Sequence, residues 1–399
     1  MNTSAFAPLR IADYRRLWVG QVVSVVGDKI HQIAMAIMVY TITGSMLQMG
    51  IMLGVTVLPA ALFGVVAGVY VDRWDRRRTM LVADLLRAAA VLAIPFVVGY
   101  GVGWAYFLAF LASTVALFFV PAKRSLIPDI VPAEGLMAAN SLDSASEAIA
   151  ELGGLAVGGA IVALLGYQWA FGIDALTFVF SAANIALISY RRKSAWVATP
   201  GTTVTSEAVD GLRSIWRSDV LRELTGVYVF AAFFAAASIA LCYALALVRY
   251  DAGAAGVAML DVATTMGILT GSVLVGRGGL ERAGVKFLGG IAGFGVGFAL
   301  IALAGNIWAA MALLFLVGIA NMYFFIPATT LYQTHADQEL RGRVMATTAT
   351  INRISMVVGL VAAGALAETT SIPLLAACIG GAALVVAAVG MTRVALRTA

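Results

Sequence analysis

The sequence predicts an all-α integral membrane protein with twelve transmembrane helices in two six-helix bundles. Composition is the first reason: 61% of the 399 residues are hydrophobic and 12% are charged, whereas soluble domains are about 45–50% apolar and about 25% charged. The length of the apolar runs and an internal repeat are the other two reasons. Globular cores cannot absorb this apolar excess, because their surfaces would still need polar residues.

Twelve apolar runs are long enough to cross a bilayer as helices. A helical span needs roughly 20 apolar residues to cross about 30 Å of hydrocarbon. Barrel strands are about 10 residues long with alternating polarity, so the run length favours helices. The runs are 17–40, 48–71, 79–100, 104–120, 137–165, 169–190, 221–250, 256–275, 285–304, 307–331, 344–366 and 372–391.

Basic residues are distributed unevenly between alternate connections. With a cytoplasmic N-terminus, 22 of the 26 lysines and arginines fall in cytoplasmic segments, and only Arg249 falls in an external connection. Cytoplasmic loops of membrane proteins carry such an excess. The sequence therefore predicts a multi-pass protein of the inner membrane with both termini in the cytoplasm. The net charge of +5 reflects this topology rather than nucleic-acid binding.

The longest polar connection lies between two sets of six runs and predicts the domain division. We expect an N-terminal six-helix bundle over 1–190, a cytoplasmic linker over 191–220, and a C-terminal six-helix bundle over 221–399. Apolar positions between Glu207 and Glu223 keep helical spacing, which indicates an amphipathic helix on the cytoplasmic face. The alternative is that this stretch is the start of the seventh span.

Short sequence matches relate the two halves. Residues 118–122 read Phe-Phe-Val-Pro-Ala, and 324–328 read Phe-Phe-Ile-Pro-Ala 206 positions later. Glu134 and Glu339 lie 205 positions apart, as do two glycine pairs of the fifth and eleventh runs. Several matches in order at a nearly constant offset indicate a duplication. A 6+6 repeat is a layout used by transporters that work by alternating access.

The connection after the second run carries a motif of one glycine, an Asp-Arg pair and a further basic pair. Gly68, Asp72, Arg73, Arg76 and Arg77 hold these positions. An aspartate at a helix end can accept hydrogen bonds from the N-terminal amides of a neighbouring helix, and arginines can hold carboxylates or carbonyls. We expect a conformational latch whose contacts form in one state and break in the other. The alternative is a plain basic stop-transfer cluster.

This motif resembles the loop signature of the major facilitator superfamily, and the resemblance covers essentially the whole chain. Two further stretches resemble the drug:proton efflux branch: 131–134 before the fifth run, and the glycine-rich 153–159 within it. Leu155 stands where that branch has proline. The resemblance implies a secondary transporter that exports drug-like or amphipathic molecules in exchange for protons. We expect a monomer whose partners are a small-molecule substrate, protons and the lipid bilayer, with no nucleic acid, metal or cofactor.

Charged side chains inside the predicted spans are the candidates for proton coupling. Such a group costs a few kcal/mol on insertion scales, so its presence indicates a functional role. A carboxyl group that exchanges partners between two states can load a proton on one side and release it on the other. The coupling candidates are Asp28, Glu147 and Glu151, expected at the central cavity, with Lys29, His31 and Arg353 as charge partners. The alternative is a permanent ion pair, such as Glu147 with Arg353.

Other polar and aromatic positions are candidates for the latch and for a substrate cavity. Asp84 and Arg87, one turn apart at the start of the third run, are expected to support the latch loop. The candidates for lining a substrate cavity are Gln32, Asp174, Phe233, Phe234, Asp261, Asn321, Tyr323 and Asn352. For the aspartates and the aromatic residues, the alternative is a role in helix packing.

Drug efflux has alternatives, both within this fold and among other classes of membrane protein. A dedicated exporter or flippase of a native metabolite or lipid, such as a siderophore or a lysophospholipid, would share the same features, and so would a uniporter without proton coupling. An enzyme is not expected, because the sequence contains no Walker A, HExxH, GxSxG or DFG motif and its polar loops are short. Intramembrane charges and the latch motif argue against a channel or a receptor.

Overall fold

Helices of membrane length make up most of the described structure, as the apolar runs predict. The computed structural model describes residues 6–71, 74–189, 204–277, 282–393 and 395–396. Within those ranges, twelve helices are long and apolar enough to cross a membrane. The helices are α1 Ala12–Thr43, α2 Met46–Val71, α3 Arg76–Val97, α4 Val102–Ile130, α5 Leu136–Leu165, α6 Tyr167–Ala186, α7 Val204–Arg217, α8 Asp219–Ala244, α9 Gly253–Arg277, α10 Ala283–Ile301, α11 Ile307–His335, α12 Arg341–Thr369 and α13 Ile372–Thr392. The predicted fold class is confirmed.

The fourth span extends well beyond its apolar run. The run ends at residue 120, but α4 continues through Pro121 and Pro128 to Ile130. Proline is tolerated inside membrane helices where neighbouring groups satisfy the freed backbone carbonyl. Lys123 and Arg124 were assigned to a connection by their position after the run. They lie instead on the last turns of a helix, where their side chains have fixed directions.

Glycines with positive φ angles allow the chain to reverse direction between neighbouring helices. Gly101, before α4, has φ +130°, and Gly166, between α5 and α6, has φ +87°. Residues with a Cβ rarely adopt these conformations, whereas glycine does so at little steric cost. Such short connections make α3 and α4, and likewise α5 and α6, antiparallel neighbours.

The predicted linker contains a helix of its own. Residues 190–203 lie outside the described residues, but α7 begins at Val204 and ends at Arg217. Ser218 then caps α8 by accepting a hydrogen bond from the amide of Leu221 at 3.3 Å. On α7, Ile215 is buried while Trp216 is 63% exposed. The helix is therefore amphipathic and is separate from the seventh span.

The chain divides into two compact units. The first comprises Met1–Met38 and Leu62–Pro200, and the second comprises Val39–Ala61 and Gly201–Ala399. The division at residue 200 falls within the predicted linker, but residues 39–61 join the second unit instead of the N-terminal bundle. The reason is that this part of α2 packs along α12. A Cβ added to Gly50 would lie 2.6 Å from the carbonyl oxygen of Leu360, so only glycine permits this approach.

In the first unit, α5 packs closely against α1. A Cβ added to Gly158 would lie 2.8 Å from the Cα of Ile30, and one added to Gly154 would lie 2.8 Å from the Cβ of Lys29. Small residues allow this kind of backbone approach in membrane helices. Near the other end of α1, the hydroxyl of Tyr14 donates to the carbonyl of Ala139 at 2.8 Å. The glycine-rich stretch thus brings the charged residues of α1 and α5 within reach of each other.

Candidate functional site

A cavity of about 510 Å3 lies in the first unit between α1, α3, α4 and α5. It differs from the apolar interior because charged side chains line it from all four helices. The lining residues that carry polar groups are Gln21, Ser24, Asp28, Arg87, Lys123, Arg124, Asn140, Asp143, Ser144 and Glu147. Three of these groups are acidic and three are basic, so the wall is close to neutral when all six are ionised.

The ion pair between Asp28 and Arg87 forms one part of the cavity wall. An Arg87 guanidinium nitrogen lies 2.5 Å from Oδ1 of Asp28, joining α3 to α1. The guanidinium also lies over the ring of Phe178 on α6, 4.0 Å from its centroid. A cation over an aromatic face is stabilised by the ring quadrupole. Asp28, predicted at the central cavity, lines this cavity of the first unit. Arg87, expected to support the loop after α2, pairs with Asp28.

A second ion pair, between Lys123 and Asp143, lies on the opposite part of the wall. The ammonium of Lys123 lies 2.9 Å from a carboxylate oxygen of Asp143, which joins α4 to α5. Both side chains are mostly buried, with 11% and 22% of their surfaces exposed. Sequence reasoning missed this pair because Lys123 was placed in a connection. Continuing the helical register past Pro121 would have placed it on the cavity side.

Glu147 and Glu151, one helical turn apart on α5, have different surroundings. Glu147 lines the cavity and makes no ion pair with another described residue. Glu151 lies 3.0 Å from the ammonium of Lys29 on α1 and is not among the residues that line the cavity. Lys29 therefore serves as a charge partner for Glu151, and Glu147 remains exposed to the cavity.

His31 and Asp174 form a fourth polar pair, away from the cavity wall. Nδ1 of His31 lies 3.0 Å from Oδ2 of Asp174, whose side chain is fully buried. The hydroxyl of Thr177 donates to the other carboxylate oxygen at 3.2 Å, and the imidazole packs edge-on against Phe171. Among the two roles considered for Asp174, helix packing fits this geometry better than cavity lining.

The predicted latch motif lies partly outside the described residues. Gly68 lies in the last turns of α2, but Asp72 and Arg73 are not described. Arg76 forms an ion pair with Asp129 near the end of α4. Arg77 donates to the carbonyl of Ile185 at 3.1 Å and to that of the next residue. These two arginines thus hold one carboxylate and the C-terminal carbonyls of α6.

The cap of α3 by Asp75 and the complete burial of Asp84 were not predicted from the sequence. Asp75 caps α3 by accepting a hydrogen bond from the amide of Arg78 at 2.8 Å. Asp84, expected beside the latch loop, is fully buried within the bundle. Neither of its carboxylate oxygens has a hydrogen-bond partner among the described residues. Local spacing placed Asp84 and Arg87 together, but it could not show that both turn towards the bundle interior.

The second unit contains an apolar cavity of about 490 Å3 between α8 and α12. Its walls are Val229, Phe230, Phe233, Phe234, Ile351, Ile354, Ser355 and Val358. The two rings of Phe233 and Phe234 pack edge to face with centroids 5.3 Å apart. The hydroxyl of Ser355, the one polar side chain in this set, donates to the carbonyl of Val229 at 2.6 Å. Phe233 and Phe234, predicted to line a substrate cavity, are among the residues that line this apolar cavity.

The remaining candidates do not line either cavity. Gln32 is exposed, and Asn321, Tyr323 and Asn352 are half-buried. Asp261 lies near Cys242 and Tyr243 on α8, where its charge acts on both groups.

Arg353 was expected to partner a coupling carboxylate, but its guanidinium contacts a backbone carbonyl. Its guanidinium donates to the carbonyl of Ala60 at 2.9 Å, within the second unit. The carbonyl of a helix carries a partial negative charge, which allows an arginine to be satisfied without a carboxylate.

The family of the protein follows from comparison with known sequences. A family model described as transmembrane secretion effector matches residues 3–399. The chain belongs to this family. The resemblance to the major facilitator superfamily is confirmed, and the chain is a transporter of that superfamily.

Relatives with assigned names are efflux proteins. The transporter is 26% identical to macrolide efflux protein A of Streptococcus pyogenes over 367 residues, which cover 88% of each chain. It is 35% identical to the multidrug efflux pump Tap of Mycobacterium tuberculosis over 209 residues, about half of each chain.

Solved structures of other transporters share the fold. A bacterial homologue of the iron transporter ferroportin in an inward-facing state aligns with a TM-score of 0.76 at 17% identity, over 96% of this chain and 99% of that one. The nucleoside transporter NupG aligns with a TM-score of 0.76 at 11% identity, over 96% and 98% of the two chains. At such identities the likeness shows the fold alone.

Proposed function

We propose that this transporter exports drug-like or amphipathic small molecules across the inner membrane in exchange for protons, by alternating access. The observation that carries the proposal is the polar cavity of the first unit, in which Asp28 is paired with Arg87 while Glu147 has no ion-pair partner among the described residues. A membrane span retains such groups only where they serve a transport or structural role.

The chemistry of the cavity suits a proton exchanged between states. A neighbouring guanidinium favours the ionised form of a carboxyl group, and losing that neighbour favours the protonated form. Rearranging the pairs of Asp28, Glu147 and Glu151 would therefore change which of them holds a proton. A conformational change that moves Arg87 or Lys29 away from its partner is sufficient to transfer the proton from one carboxyl group to another.

The proton gradient supplies enough energy for export without ATP. One proton that enters down the membrane potential gains about 2.3 kcal/mol per 100 mV, and one pH unit adds about 1.4 kcal/mol. Together these can maintain a cargo gradient of several hundredfold. Cargo and proton bias one conformational equilibrium, so each must change the affinity for the other.

The class of cargo is inferred from the second unit and from the relatives. The cavity lined by Phe230, Phe233 and Phe234 presents aromatic surface with a single hydroxyl group, and mostly apolar sites of this size bind drug-like molecules. The names of the relatives specify macrolide and multidrug efflux. We infer that the cargo includes macrolides or other large apolar compounds. The positive-inside pattern supports cytoplasmic termini, the names of the relatives support export, and we expect the monomer to be sufficient.

Transport into proteoliposomes tests the proposal. The uptake of a radiolabelled macrolide is measured under an imposed pH gradient for wild type, Asp28→Asn, Glu147→Gln and Glu151→Gln. At least one variant should lose tenfold or more of the gradient-driven uptake and keep exchange of labelled for unlabelled cargo. Asp337→Asn and Glu339→Gln, in an exposed connection, are the matched controls. The proposal is wrong if all three variants keep wild-type coupling.

The same measurement separates the alternatives. Cargo that only equilibrates, with a rate independent of the pH gradient, would indicate a uniporter. Gradient-driven transport confined to one native metabolite or lipid would indicate a dedicated exporter or flippase.

A further inference from the structure

Asp84 is an unusual residue for the middle of a membrane bundle. Its side chain has no solvent exposure, and neither carboxylate oxygen accepts or donates a hydrogen bond within the described residues. An ionised carboxylate buried in this way loses several kcal/mol of solvation energy that nothing repays. A group in that position normally becomes neutral by binding a proton. The geometry therefore favours a protonated Asp84 in this conformation.

The charged groups around Asp84 come from three helices. Arg87 lies one turn away on α3, Asp28 lies on α1, and Asp174 lies on α6. Two of these three are acidic, and Asp174 is already paired with His31. The single guanidinium is bound to Asp28 at 2.5 Å. None of these three groups therefore balances the negative charge that Asp84 would carry if it were ionised.

A polar neighbour of Asp84 across the interface is the hydroxyl of Ser181 on α6. This oxygen accepts a hydrogen bond from the amide of Gln21 at 3.1 Å. A hydroxyl oxygen has two lone pairs, so one remains for a donor. A protonated Asp84 can donate its O–H to that lone pair after a small rotation, whereas an ionised Asp84 would accept the hydroxyl proton of Ser181. Ser181 can therefore serve either form, and what favours the acid form is the complete burial of Asp84 together with the pairing of Arg87 with Asp28.

Arg87 is within reach of both carboxyl groups, because residues three apart on a helix share a face. It now pairs with Asp28, which opens to the cavity, and it leaves Asp84 without a counter-ion. Were Arg87 to turn to Asp84, Asp84 would ionise and Asp28 would lose its partner. One guanidinium and two carboxyl groups then define two states that differ in the location of one proton.

We propose that Asp84 is a proton-binding site and that Arg87 alternates between Asp28 and Asp84, with the proton held by the carboxyl group that Arg87 leaves. This inference deepens the proposed function and rests on it for the role in coupling. The protonation of Asp84 itself does not depend on what the protein transports. Cavity access through Asp28 gives the proton its route, since Asp28 is 38% exposed whereas Asp84 is sealed.

Infrared spectroscopy of the purified transporter tests the protonation directly. A neutral carboxylic acid has a C=O stretching band distinct from that of a carboxylate. At neutral pH we expect this band in wild type and in Asp337→Asn, and its loss in Asp84→Asn. Asp84→Glu, which keeps the acid, should restore a shifted band. An unchanged band in Asp84→Asn would overturn the proposal.

Asp28→Asn tests the shared arginine in the same spectrometer. In this variant Asp28 no longer carries a carboxyl group, so Asp84 is the one of the two that Arg87 can still bind. Asp84 should therefore ionise, and its acid band should decrease at least twofold. A full acid band in Asp28→Asn would contradict the alternation of Arg87.

Transport separates this inference from the proposed function. We expect Asp84→Asn to lose at least tenfold of the pH-gradient-driven uptake and to keep cargo exchange, which needs no net proton movement. Asp84→Glu should retain coupling, which controls for misfolding of the asparagine variant. If wild type itself shows no coupling, the proposed function fails while the infrared result still decides the protonation. If wild type is coupled and Asp84→Asn is equally coupled, this inference fails alone.

Discussion

Arg353 on α12 donates a hydrogen bond of 2.9 Å to the carbonyl oxygen of Ala60 on α2. Where α2 begins and α12 ends, Glu368 accepts from the hydroxyl of Ser45 and, at 3.1 Å, from the amide of Leu47. Because 353 pairs with 60 and 368 pairs with 45, the two helices run antiparallel in one register. Polar contacts therefore hold α2 and α12 together at two places within the second unit.

We predict that Glu368→Gln destabilises this end of the helix pair. Glu368 caps the N-terminus of α2 from another helix, and a carboxylate there also favours the helix dipole. Losing its charge should lower the stability of the folded transporter by about 1 kcal/mol, seen as a lower melting temperature in detergent. Glu339→Gln, in an exposed connection, should melt as wild type does. Equal melting of both variants would contradict the capping role.

We predict strong coupling between Asp28 and Arg87 in a double-mutant cycle. Arg87→Met leaves the carboxyl group of Asp28 without its counter-ion, and Asp28→Asn removes the carboxylate that Arg87 binds and forces Arg87 towards the buried Asp84. Because Asp28 is partly exposed to the cavity, each single change should cost roughly 1–3 kcal/mol, less than a fully buried pair.

The double variant should be more stable than the sum of the single effects implies, because neither charge is then left alone. Reversible unfolding in mixed micelles measures all four proteins. Additive effects would show that the 2.5 Å contact contributes nothing to stability. The cycle does not require transport, so it tests the geometry by itself.

We predict different effects for two adjacent arginines at the start of α3. Arg77 donates to carbonyls at the end of α6, whereas the side chain of Arg78 is exposed. Arg77→Gln should lower the stability by roughly 1 kcal/mol through loss of charge-assisted hydrogen bonds, and Arg78→Gln should have no measurable effect. The pair of variants is matched in charge and in side-chain chemistry. Equal effects would indicate that only the net charge of this loop matters.

We predict that filling the apolar cavity selects against large cargo. Ile354 lines this cavity and is 50% exposed. Ile354→Trp adds a large ring to the cavity, so macrolide efflux should fall at least tenfold, equivalent to about 1.4 kcal/mol of binding. Ile354→Leu conserves the volume and should transport normally. Unchanged macrolide efflux by Ile354→Trp would place the cargo elsewhere.

The fold could be predicted from the sequence because the membrane imposes it. Without water to satisfy backbone groups, long apolar runs must be helical, and the run lengths define the number of spans. The end of α4 could not be placed this way. Hydropathy stops at residue 120, while the helix continues past Pro121 to Ile130, and this extension positions Lys123 for its pair with Asp143.

The partners of the charged residues depend on tertiary packing, which local pattern does not encode. Asp28, Lys29 and His31 are neighbours in sequence, yet they pair with residues on three different helices: Arg87, Glu151 and Asp174. Helical periodicity showed which of them share a face. Arg87 reaches Asp28 because α3 packs against α1 with these two residues at the same level of the bundle. The sequence alone does not contain that relative placement of the two helices.

Proton movement driven by cargo is the most direct test of the central claim. Proteoliposomes are loaded with a macrolide and a pH-sensitive dye and are diluted into cargo-free buffer at equal pH. The account predicts that the lumen acidifies as the macrolide leaves, since exchange is reciprocal, and that Asp84→Asn releases cargo without acidification. Macrolide efflux from wild-type vesicles at constant lumenal pH would contradict it.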